Sequence, residues 1–323
     1  MDFSIIVPVY NRPEEIDELL QSLEHQTCKD FEVIIVEDGS TLPCNLMVDK
    51  YVSSINIKYF YKENSGPGPS RNFGADKSQG NYLIFFDSDC VIPEEYFEKI
   101  KKELNQLTFK GAFGGADKAN SSFTKIQKAI NYSMTSFFTT GGIRGGNKRL
   151  DKFYPRTFNL GVKKEVFDSV GGFSTMRYGE DIDFSIRVMK AGYSCRLFPH
   201  AWVYHKRRTD LRKFFKQVYH SGVARVDLYK LYPESLKLVH VLPAIFVAGS
   251  ILLLIMSFFL PCILFLFAFF MLLIFVDSLI RNKSLSISCL SVIACYIQLY
   301  GYGTGFIRAF IEKIILRKKL QRY

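Results

Sequence analysis

Paired cysteines of the zinc-binding or redox kind are missing from this sequence of 323 residues. Its seven cysteines form no Cys-x-x-Cys and no cysteine–histidine zinc pattern, and an odd number cannot all pair with one another. Free thiols in a reducing compartment are therefore expected. A secretory signal is also missing, because a strand-like run, Phe3–Val9, follows a single acidic residue. We expect the N-terminal part of the chain to stay in the cytoplasm.

Charge is missing from two long stretches, residues 241–276 and 284–307. A soluble domain would not tolerate such stretches, so the sequence predicts a chain attached to the cell membrane. Each of the apolar segments 239–260, 262–280 and 285–307 is long enough to cross a hydrocarbon core about 30 Å thick. The sequence therefore predicts two or three membrane helices, as a hairpin or as several spans.

The basic residues that flank these segments give conflicting predictions of topology. The positive-inside rule places the loop at residues 281–283 in the cytoplasm, and it places residues 317–319 there as well. Three full spans would put these two groups on opposite sides. Gly301, Gly303 and Gly305 could allow a bent or re-entrant third segment, and the sequence leaves the choice open.

Positive charge is concentrated beside the apolar segments. The chain has 42 basic and 31 acidic residues, of which 25 and 26 lie in residues 1–205, leaving 17 and 5 for residues 206–323. This distribution favours anionic lipid headgroups, and not nucleic acid, as the partner of the basic part. We expect a basic amphipathic helix over Leu211–Tyr229 that either lies in the membrane interface or packs on the domain. Its predicted apolar stripe is Leu211, Phe215, Val218, Gly222, Val226 and Tyr229.

The first half of the chain alternates short apolar runs with helical patterns, which predicts an α/β fold with a mostly parallel nucleotide-binding sheet covered on both faces. A stretch rich in Gly and Thr, residues 136–157, is typical of a mobile loop. We expect three regions: a catalytic domain over residues 1–208, an interfacial helix and linker over 209–236, and a membrane region over 237–323. The predicted strands are Phe3–Val9, Phe31–Val36, Ile55–Tyr61, Tyr82–Phe86, Arg196–Phe198 and Trp202–Tyr204.

Polar clusters follow three of these strands, at Tyr10-Asn11, Glu37-Asp38 and Asp87-Ser88-Asp89. In open parallel sheets the ligand site lies beyond the carboxyl ends of the strands, so we expect the clusters to converge. The two carboxylates of the third cluster suit Mg²⁺ or Mn²⁺ holding a diphosphate. A solvated turn that caps the next helix is the alternative.

A series of short motifs resembles the family 2 glycosyltransferases over about residues 3–225. In chain order these motifs are Ser4–Asn11, Val36–Ser40, Gly66–Gly74, Phe86–Asp89, Val170–Phe173, Gly179–Asp183 and Trp202–His205. The resemblance implies a GT-A fold, a nucleotide-diphosphate-sugar donor and an inverting transfer. It also implies that Asp181, beside Glu180, is the general base, for which helix capping is the alternative.

The same resemblance implies the remaining roles. Pro8 and Tyr10 would line the base pocket, Asp89 would bind the metal ion, and Asp87 and His205 are further metal candidates. The donor-binding candidates are Pro8, Tyr10, Asn11, Glu37, Asp38, Arg71, Asp87, Ser88 and Lys206. A strand-end histidine without a ligand is the alternative for His205, and lipid contact is the alternative for Lys206.

The expected enzyme is a hexosyl- or N-acetylhexosaminyltransferase that uses a UDP-sugar and a divalent metal ion. A carboxylate base favours a hydroxyl acceptor, on a glycan that is lipid-linked, over a polyprenyl phosphate, which is already ionised. Two other classes stay open on the sequence: a sugar-nucleotide nucleotidyltransferase on a similar sheet, and a catalytically silent membrane scaffold.

Overall fold

The computed structural model describes residues 1–106, 109–118, 123–141 and 153–317. The chain divides into two compact units. The α/β unit is built from residues within 1–118 and 153–206, and the helical unit from residues within 123–141 and 207–317.

In chain order the strands are β1 Phe3–Val9, β2 Phe31–Asp38, β3 Ile57–Lys62, β4 Tyr82–Phe85, β5 Cys90–Val91, β6 Gly111–Gly114, β7 Asp117–Lys118, β8 Leu160–Lys163, β9 Ser194–Leu197 and β10 Val203–His205. The helices are α1 Pro13–Glu24, α2 Asn45–Val48, α3 Pro67–Asp76, α4 Tyr96–Gln106, α5 Lys125–Thr135, α6 Phe137–Thr140, α7 Lys164–Ser169, α8 Glu180–Lys190, α9 Leu211–Leu231, α10 Leu238–Ser257, α11 Leu264–Asn282 and α12 Leu285–Phe310. Single 3₁₀ turns lie at Thr157–Asn159, Pro233–Ser235 and Pro261–Ile263, and a π turn lies at Ile311–Ile315.

The described part of the α/β unit contains a seven-stranded sheet in the order β3-β2-β1-β4-β8-β6-β9. Strands β1 to β4 pair in parallel, whereas β8 runs antiparallel to both β4 and β6. The predicted fold class, a mostly parallel sheet with helices on both faces, is confirmed. The antiparallel strand β8 was not predicted, because its four residues carry no alternation that separates them from the loop before them.

Alternation along the central strands explains why both faces of the sheet are covered. Ile5 and Val7 of β1 belong to one apolar cluster, to which α1 and α4 contribute, and Ile6 belongs to the cluster on the other face. The apolar side chains of α1 are buried in the first of these clusters: Ile16, Leu19, Leu20 and Leu23. This packing fixes the register of β1, so that its carboxyl end opens beside those of β2 and β4.

The helical unit contains three helices that are long and apolar enough to cross a membrane, as the sequence predicted: α10, α11, and α12 with its π turn. The sequence left open a bent or re-entrant third segment, and α12 is helical without a break from Leu285 to Phe310. Its glycines serve close packing instead. A Cβ at Gly305 would lie 2.2 Å from the Tyr219 carbonyl oxygen of α9.

Helix α9 packs one face against α12. The buried positions include Phe214, Val218, Gly222 and Val226, whereas Phe215, which the predicted stripe included, is 40% exposed. Phe214 and Phe215 are both apolar, so the sequence spacing fitted either one. Phe214 is buried in a cluster with Ala129 and Ile130 of α5. The predicted loop at residues 136–157 begins with the short helix α6, because the Ser136 side chain caps it. Residues 142–152 of that prediction lie outside the described residues.

Candidate active site

A small cluster of ligand atoms lies where β5 meets β10 in the α/β unit. These strands pair antiparallel, and the pairing sets His205 opposite Cys90. The Nε2 atom of His205 lies 3.1 Å from Oδ1 of Asp89. One ligand atom each from Asp89, Cys90 and His205 falls within 4.8 Å of the other two. The sequence candidates Asp89 and His205, 116 positions apart, are therefore brought together.

The donor atoms of this cluster fit a divalent cation. A carboxylate and an imidazole both ligate Mn²⁺, and a thiolate would add affinity for softer ions such as Zn²⁺. Burial raises the pKa of the Cys90 thiol well above its usual value, and its Sγ donates to the Phe158 carbonyl oxygen at 3.4 Å. Asp89 and His205 are therefore the ligands best suited to a hard ion. Cys90 lies at the same place but is the less suitable ligand.

Two residues that the sequence analysis missed support this cluster. Arg12 lies just beyond β1, and its Nη1 is 3.4 Å from Oδ2 of Asp89. Phe158 stacks on the His205 ring at 4.7 Å between centroids, which fixes the plane of the imidazole. The position of Arg12 at a strand end was a usable signal. No sequence signal pointed to Phe158, because only the tertiary structure brings it next to His205.

The first carboxylate of the Asp-x-Asp motif points to a different partner. Asp87 Oδ1 accepts a hydrogen bond from Nη2 of Arg71 at 2.7 Å, and Nη1 of the same guanidinium lies 3.1 Å from Glu180 Oε1. Arg71 is buried on α3 and thus bridges the end of β4 and the start of α8. Asp87 is not part of the Asp89–Cys90–His205 cluster, although the sequence made it a metal candidate too. Its side chain is one-third exposed.

Glu180 has an unusual proton affinity. Burial and, to a smaller extent, the adjacent Asp181 charge raise the pKa of Glu180 to about 7, against the opposing effect of the Arg71 charge. Near neutral pH this side chain is therefore divided between its two protonation states. Such a perturbed carboxyl in a cleft is a common mark of a functional site.

This shift predicts a pH-dependent stability. Because the folded-state pKa lies above the ordinary 4.5, the folded protein binds more protons than the unfolded chain between pH 4.5 and about 7. Stability should fall as the pH rises through that window. In Glu180→Gln, which cannot ionise, this fall should be smaller. Thermal unfolding followed by the fluorescence of Trp202, the single tryptophan, measures it in the α/β unit.

The exposed Glu94→Gln is the matched control for this measurement, and its stability should follow the wild-type pH profile. Identical slopes for Glu180→Gln and the wild type would show that Glu180 titrates at an ordinary pH.

Asp181 stands at the start of α8, where Gly179 takes a left-handed conformation with φ of 82° that turns the chain into the helix. One of its carboxylate oxygens, Oδ1, accepts from its neighbour Ile182 N at 2.8 Å, and the other, Oδ2, lies 2.8 Å from Nε of Arg156. Arg156 is 40% exposed and was missed by the sequence analysis, since it lies in the stretch predicted as a mobile loop. Asp181 is thus held by a cation on its open side.

The Glu37-Asp38 cluster forms the last two residues of β2 and is buried. Both Asp38 oxygens accept backbone N–H groups, Oδ1 from Ser65 at 2.9 Å and Oδ2 from Gly66 at 2.8 Å. Glu37 is fully buried and accepts from Cys44 N at 2.8 Å and from the Ser40 hydroxyl. Asp38 therefore shapes the entry to α3, and Glu37 holds the loop after β2.

The other candidates are distributed around the same edge. The Tyr10 side chain is 52% exposed just after β1. Asn11, with φ of 53°, accepts through Oδ1 from the backbone N–H of Leu42 at 2.9 Å. Pro8 pairs with Val36 inside the sheet, and Ser88 donates to Glu15 Oε2 at 3.1 Å. The Nζ of Lys206 lies 2.6 Å from Glu18 of α1, which places its charge beside α1 and away from the carboxylate clusters.

This combination of a mostly parallel sheet and an acidic cleft beyond its strand ends defines a GT-A-type domain, the class that handles nucleotide sugars. The sequence matches the model of the glycosyl transferase family 2 over residues 4–179. The chain belongs to this family.

Among curated proteins, an uncharacterized glycosyltransferase of Haemophilus influenzae is 35% identical over 192 residues, which cover 58% of this chain and 62% of that protein. The poly(ribitol-phosphate) beta-N-acetylglucosaminyltransferase TarS of Staphylococcus aureus is 40% identical over 99 residues, or 29% of this chain and 17% of TarS. The chain thus spans less than two thirds of the length of these curated relatives.

Among solved structures, the mannosyltransferase PcManGT of Pyrobaculum calidifontis, in complex with GDP-Man and Mn²⁺, matches 98% of this chain and 88% of its own. The TM-score is 0.59 at 17% identity, which shows a shared fold.

Proposed function

We propose that the protein transfers a sugar from a nucleotide-diphosphate donor to a hydroxyl group of a glycan, by a metal-dependent, inverting single displacement. The observation that carries this proposal is the separation of two acidic centres in one cleft. Asp89 lies with His205, and Asp181 lies with Arg156, each in its own set of contacts. One centre suits a diphosphate-bound metal ion, and the other suits a proton acceptor.

The donor side of the cleft is formed by the ends of β1, β2 and β4. We propose that Tyr10 and Asp38 lie against the nucleoside, and that Arg71 holds Asp87 in position for the ribose. Glu37 and Asn11 act indirectly, by holding the loop that follows β2. TarS is named as a transferase of N-acetylglucosamine, which supports a UDP-linked hexosyl or N-acetylhexosaminyl donor for this chain.

Asp89 and His205 would hold a divalent ion, Mn²⁺ or Mg²⁺. The bound ion would offset the negative charge that develops on the departing diphosphate. Arg12 contributes a further positive charge on the same side of the cleft. The complex of PcManGT with Mn²⁺ supports a metal ion in this fold.

Asp181 would act as the general base. The acceptor oxygen attacks the anomeric carbon opposite the diphosphate, its proton passes to Asp181, and the bond to the diphosphate oxygen breaks. The Arg156 guanidinium, whose Nε lies 2.8 Å from Oδ2 of Asp181, holds this carboxylate in place. Glu180 and Arg71 position Asp181 from behind, through the hydrogen bond between them.

We further propose that the chain is attached to the cell membrane and that its α/β unit faces the cytoplasm. The three apolar helices and the basic residues of α9 support attachment to an anionic membrane. A lipid-linked glycan is then the acceptor that the membrane would supply. The boundaries at residues 208 and 236 remain our proposal for where the catalytic domain, linker and membrane region meet.

Incubation of the purified full chain with UDP- and GDP-sugars in the presence of Mn²⁺ tests the proposal. A UDP-sugar should raise the unfolding temperature, and slow hydrolysis should release UDP. Release of UMP or pyrophosphate would show a nucleotidyltransferase instead. A chain that neither binds nor cleaves any sugar nucleotide would be a scaffold. Faster transfer to polyprenyl phosphate than to glycans would overturn the choice of acceptor.

A further inference from the structure

Helices α9 and α12 run side by side in the same direction. Phe214 shares a buried cluster with Ala294, and farther along both helices Gly222 lies against Tyr302. At their ends, Lys313 Nζ donates to both carboxylate oxygens of Asp227, at 2.6 and 2.8 Å, and both side chains are buried. Along α9 this shared length, from Phe214 to Asp227, is about 20 Å at 1.5 Å per residue.

This pairing makes α12 unsuited to crossing a bilayer. If α12 crossed, α9 would lie beside it in the hydrocarbon over about two thirds of its thickness of about 30 Å. Yet α9 exposes Arg212, Lys213, Lys216 and Lys230. Charged side chains that face lipid at that depth are strongly unfavourable. The composition of α12 allows a span, but its partner helix does not.

Helices α10 and α11 have the opposite character. They form a hairpin, in which the Phe246 and Phe270 rings lie 5.6 Å apart on either side of the turn. Tyr296 of α12 lies 6.0 Å from each of these rings, so α12 crosses the base of the hairpin. Beyond that base, residues 251–269 are apolar and nearly all exposed.

The turn of this hairpin suits the interior of a bilayer. Phe258 and Phe259 are 87% and 86% exposed, and no charged residue occurs between positions 241 and 276. Most backbone N–H groups at the turn have a local acceptor, as hydrocarbon favours. Those of Phe258, Phe259, Leu260 and Ile263 donate to nearby carbonyls, and Pro261 has no N–H. A turn that emerged into headgroups and water on the far side would expose these phenylalanines there.

From these contacts we infer that the α10–α11 hairpin is the only described element of the helical unit that enters the membrane core. It enters from the cytoplasmic side, ends among the acyl chains and returns, while α12 lies across its base in the interface. Lipid therefore covers the hairpin. Acyl chains surround residues 251–269, and anionic headgroups lie beside Lys237 and Lys283, which flank the hairpin.

This arrangement removes the conflict between the two basic groups. A hairpin that returns places residues 281–283 on the side from which it entered, and a non-crossing α12 keeps residue 317 on that same side. Both then obey the positive-inside rule together with the α/β unit, which continues directly into α9 at Arg207. The inference rests on the proposed membrane attachment and not on sugar transfer.

Side-specific cysteine labelling of the full chain tests the inference. The exposed Cys262 and Cys289 are first replaced by Ser. Single reporters are then introduced as Lys283→Cys, Arg317→Cys and Phe259→Cys, with Asp49→Cys marking the side of the α/β unit. Sealed inside-out and right-side-out vesicles are treated with a membrane-impermeant maleimide, before and after detergent.

We expect Lys283→Cys and Arg317→Cys to react only from the side on which Asp49→Cys reacts. Phe259→Cys should react from neither side until detergent is added, and a bimane probe there should be quenched most by nitroxides deep on the acyl chains. Reaction of Arg317→Cys from the opposite side would show that α12 spans. Far-side reaction of Phe259→Cys would show a crossing hairpin.

Two further results would also overturn the inference. Cross-linking between the Phe259→Cys positions of two chains, without quenching by lipid nitroxides, would show that a second copy covers the hairpin. Release of the wild-type chain by alkaline carbonate would contradict membrane attachment itself, whatever the outcome of the sugar-nucleotide tests.

Discussion

Replacing Asp89 with Asn is expected to reduce sugar transfer by about 10³-fold, because a metal ion that neutralises a departing diphosphate is worth several kcal/mol. The amide removes the charged oxygen that lies 3.1 Å from His205 but keeps its size. Initial rates with a sugar-nucleotide donor and Mn²⁺ measure the loss. Mn²⁺ binding to the donor-free chain, followed by electron paramagnetic resonance, should weaken in parallel.

Asp76→Asn is the matched control, since Asp76 is an exposed aspartate at the end of α3, outside the cleft. Its rate and its Mn²⁺ affinity should equal those of the wild type. His205→Gln should also weaken Mn²⁺ binding. Full wild-type activity in excess EDTA would contradict a metal-dependent reaction, and an active Asp89→Asn variant would place the metal ion elsewhere.

Much of this site can be predicted from local sequence, because the carboxyl ends of parallel strands lie at one edge of the sheet. Once β1, β2 and β4 are recognised as buried strands, the polar residues after them must lie near one another. Tyr10, Asp38 and Asp87 were found in this way, from their positions alone. The family motifs added Arg71 and Asp181, which strand-end reasoning could not place.

The contacts around these residues depend on the tertiary structure. Arg156 reaches Asp181 across 25 positions of sequence, and Phe158 reaches His205 across 47, with no periodicity that links either pair. The direction in which a strand-end carboxylate turns is likewise set by its neighbours. From the sequence, Glu37 and Asp38 were equally good candidates for the donor site. The Glu37 carboxylate turns inward because it accepts a hydrogen bond from the buried Cys44 N–H.

In the helical unit, too, the sequence identifies the elements but not the contacts between them. Length and hydropathy identify α10, α11 and α12 as similar segments. What separates them is which helix each one contacts, and from the sequence the glycines of α12 indicated only a bent or re-entrant segment. The Cβ distances at Gly303 and Gly305 show close packing, because backbone carbonyl oxygens occupy the space that a side chain would need.

Asp181→Asn should lower turnover by about 10²- to 10⁴-fold, the usual contribution of a positioned general base, while the affinity for the sugar nucleotide stays near that of the wild type. The amide can still accept from the Ile182 N–H, so the start of α8 should remain folded. Turnover at saturating donor and acceptor, and donor affinity by calorimetry, separate these two effects.

Asp183→Asn is the comparison variant for this experiment. Asp183 lies two residues further along α8 and is equally buried, but its carboxylate pairs with Arg187 at 2.9 Å within the same helix. Its loss should lower the unfolding temperature and leave turnover of the folded protein unchanged, which is the opposite of the result expected for Asp181→Asn.

If Asp181→Asn instead loses donor affinity with normal turnover at saturation, Asp181 belongs to the donor pocket. If it loses only stability, Asp181 is a helix cap, and the base must be sought among the other carboxylates of the cleft, of which Glu180, with its pKa near 7, is the nearest in the chain.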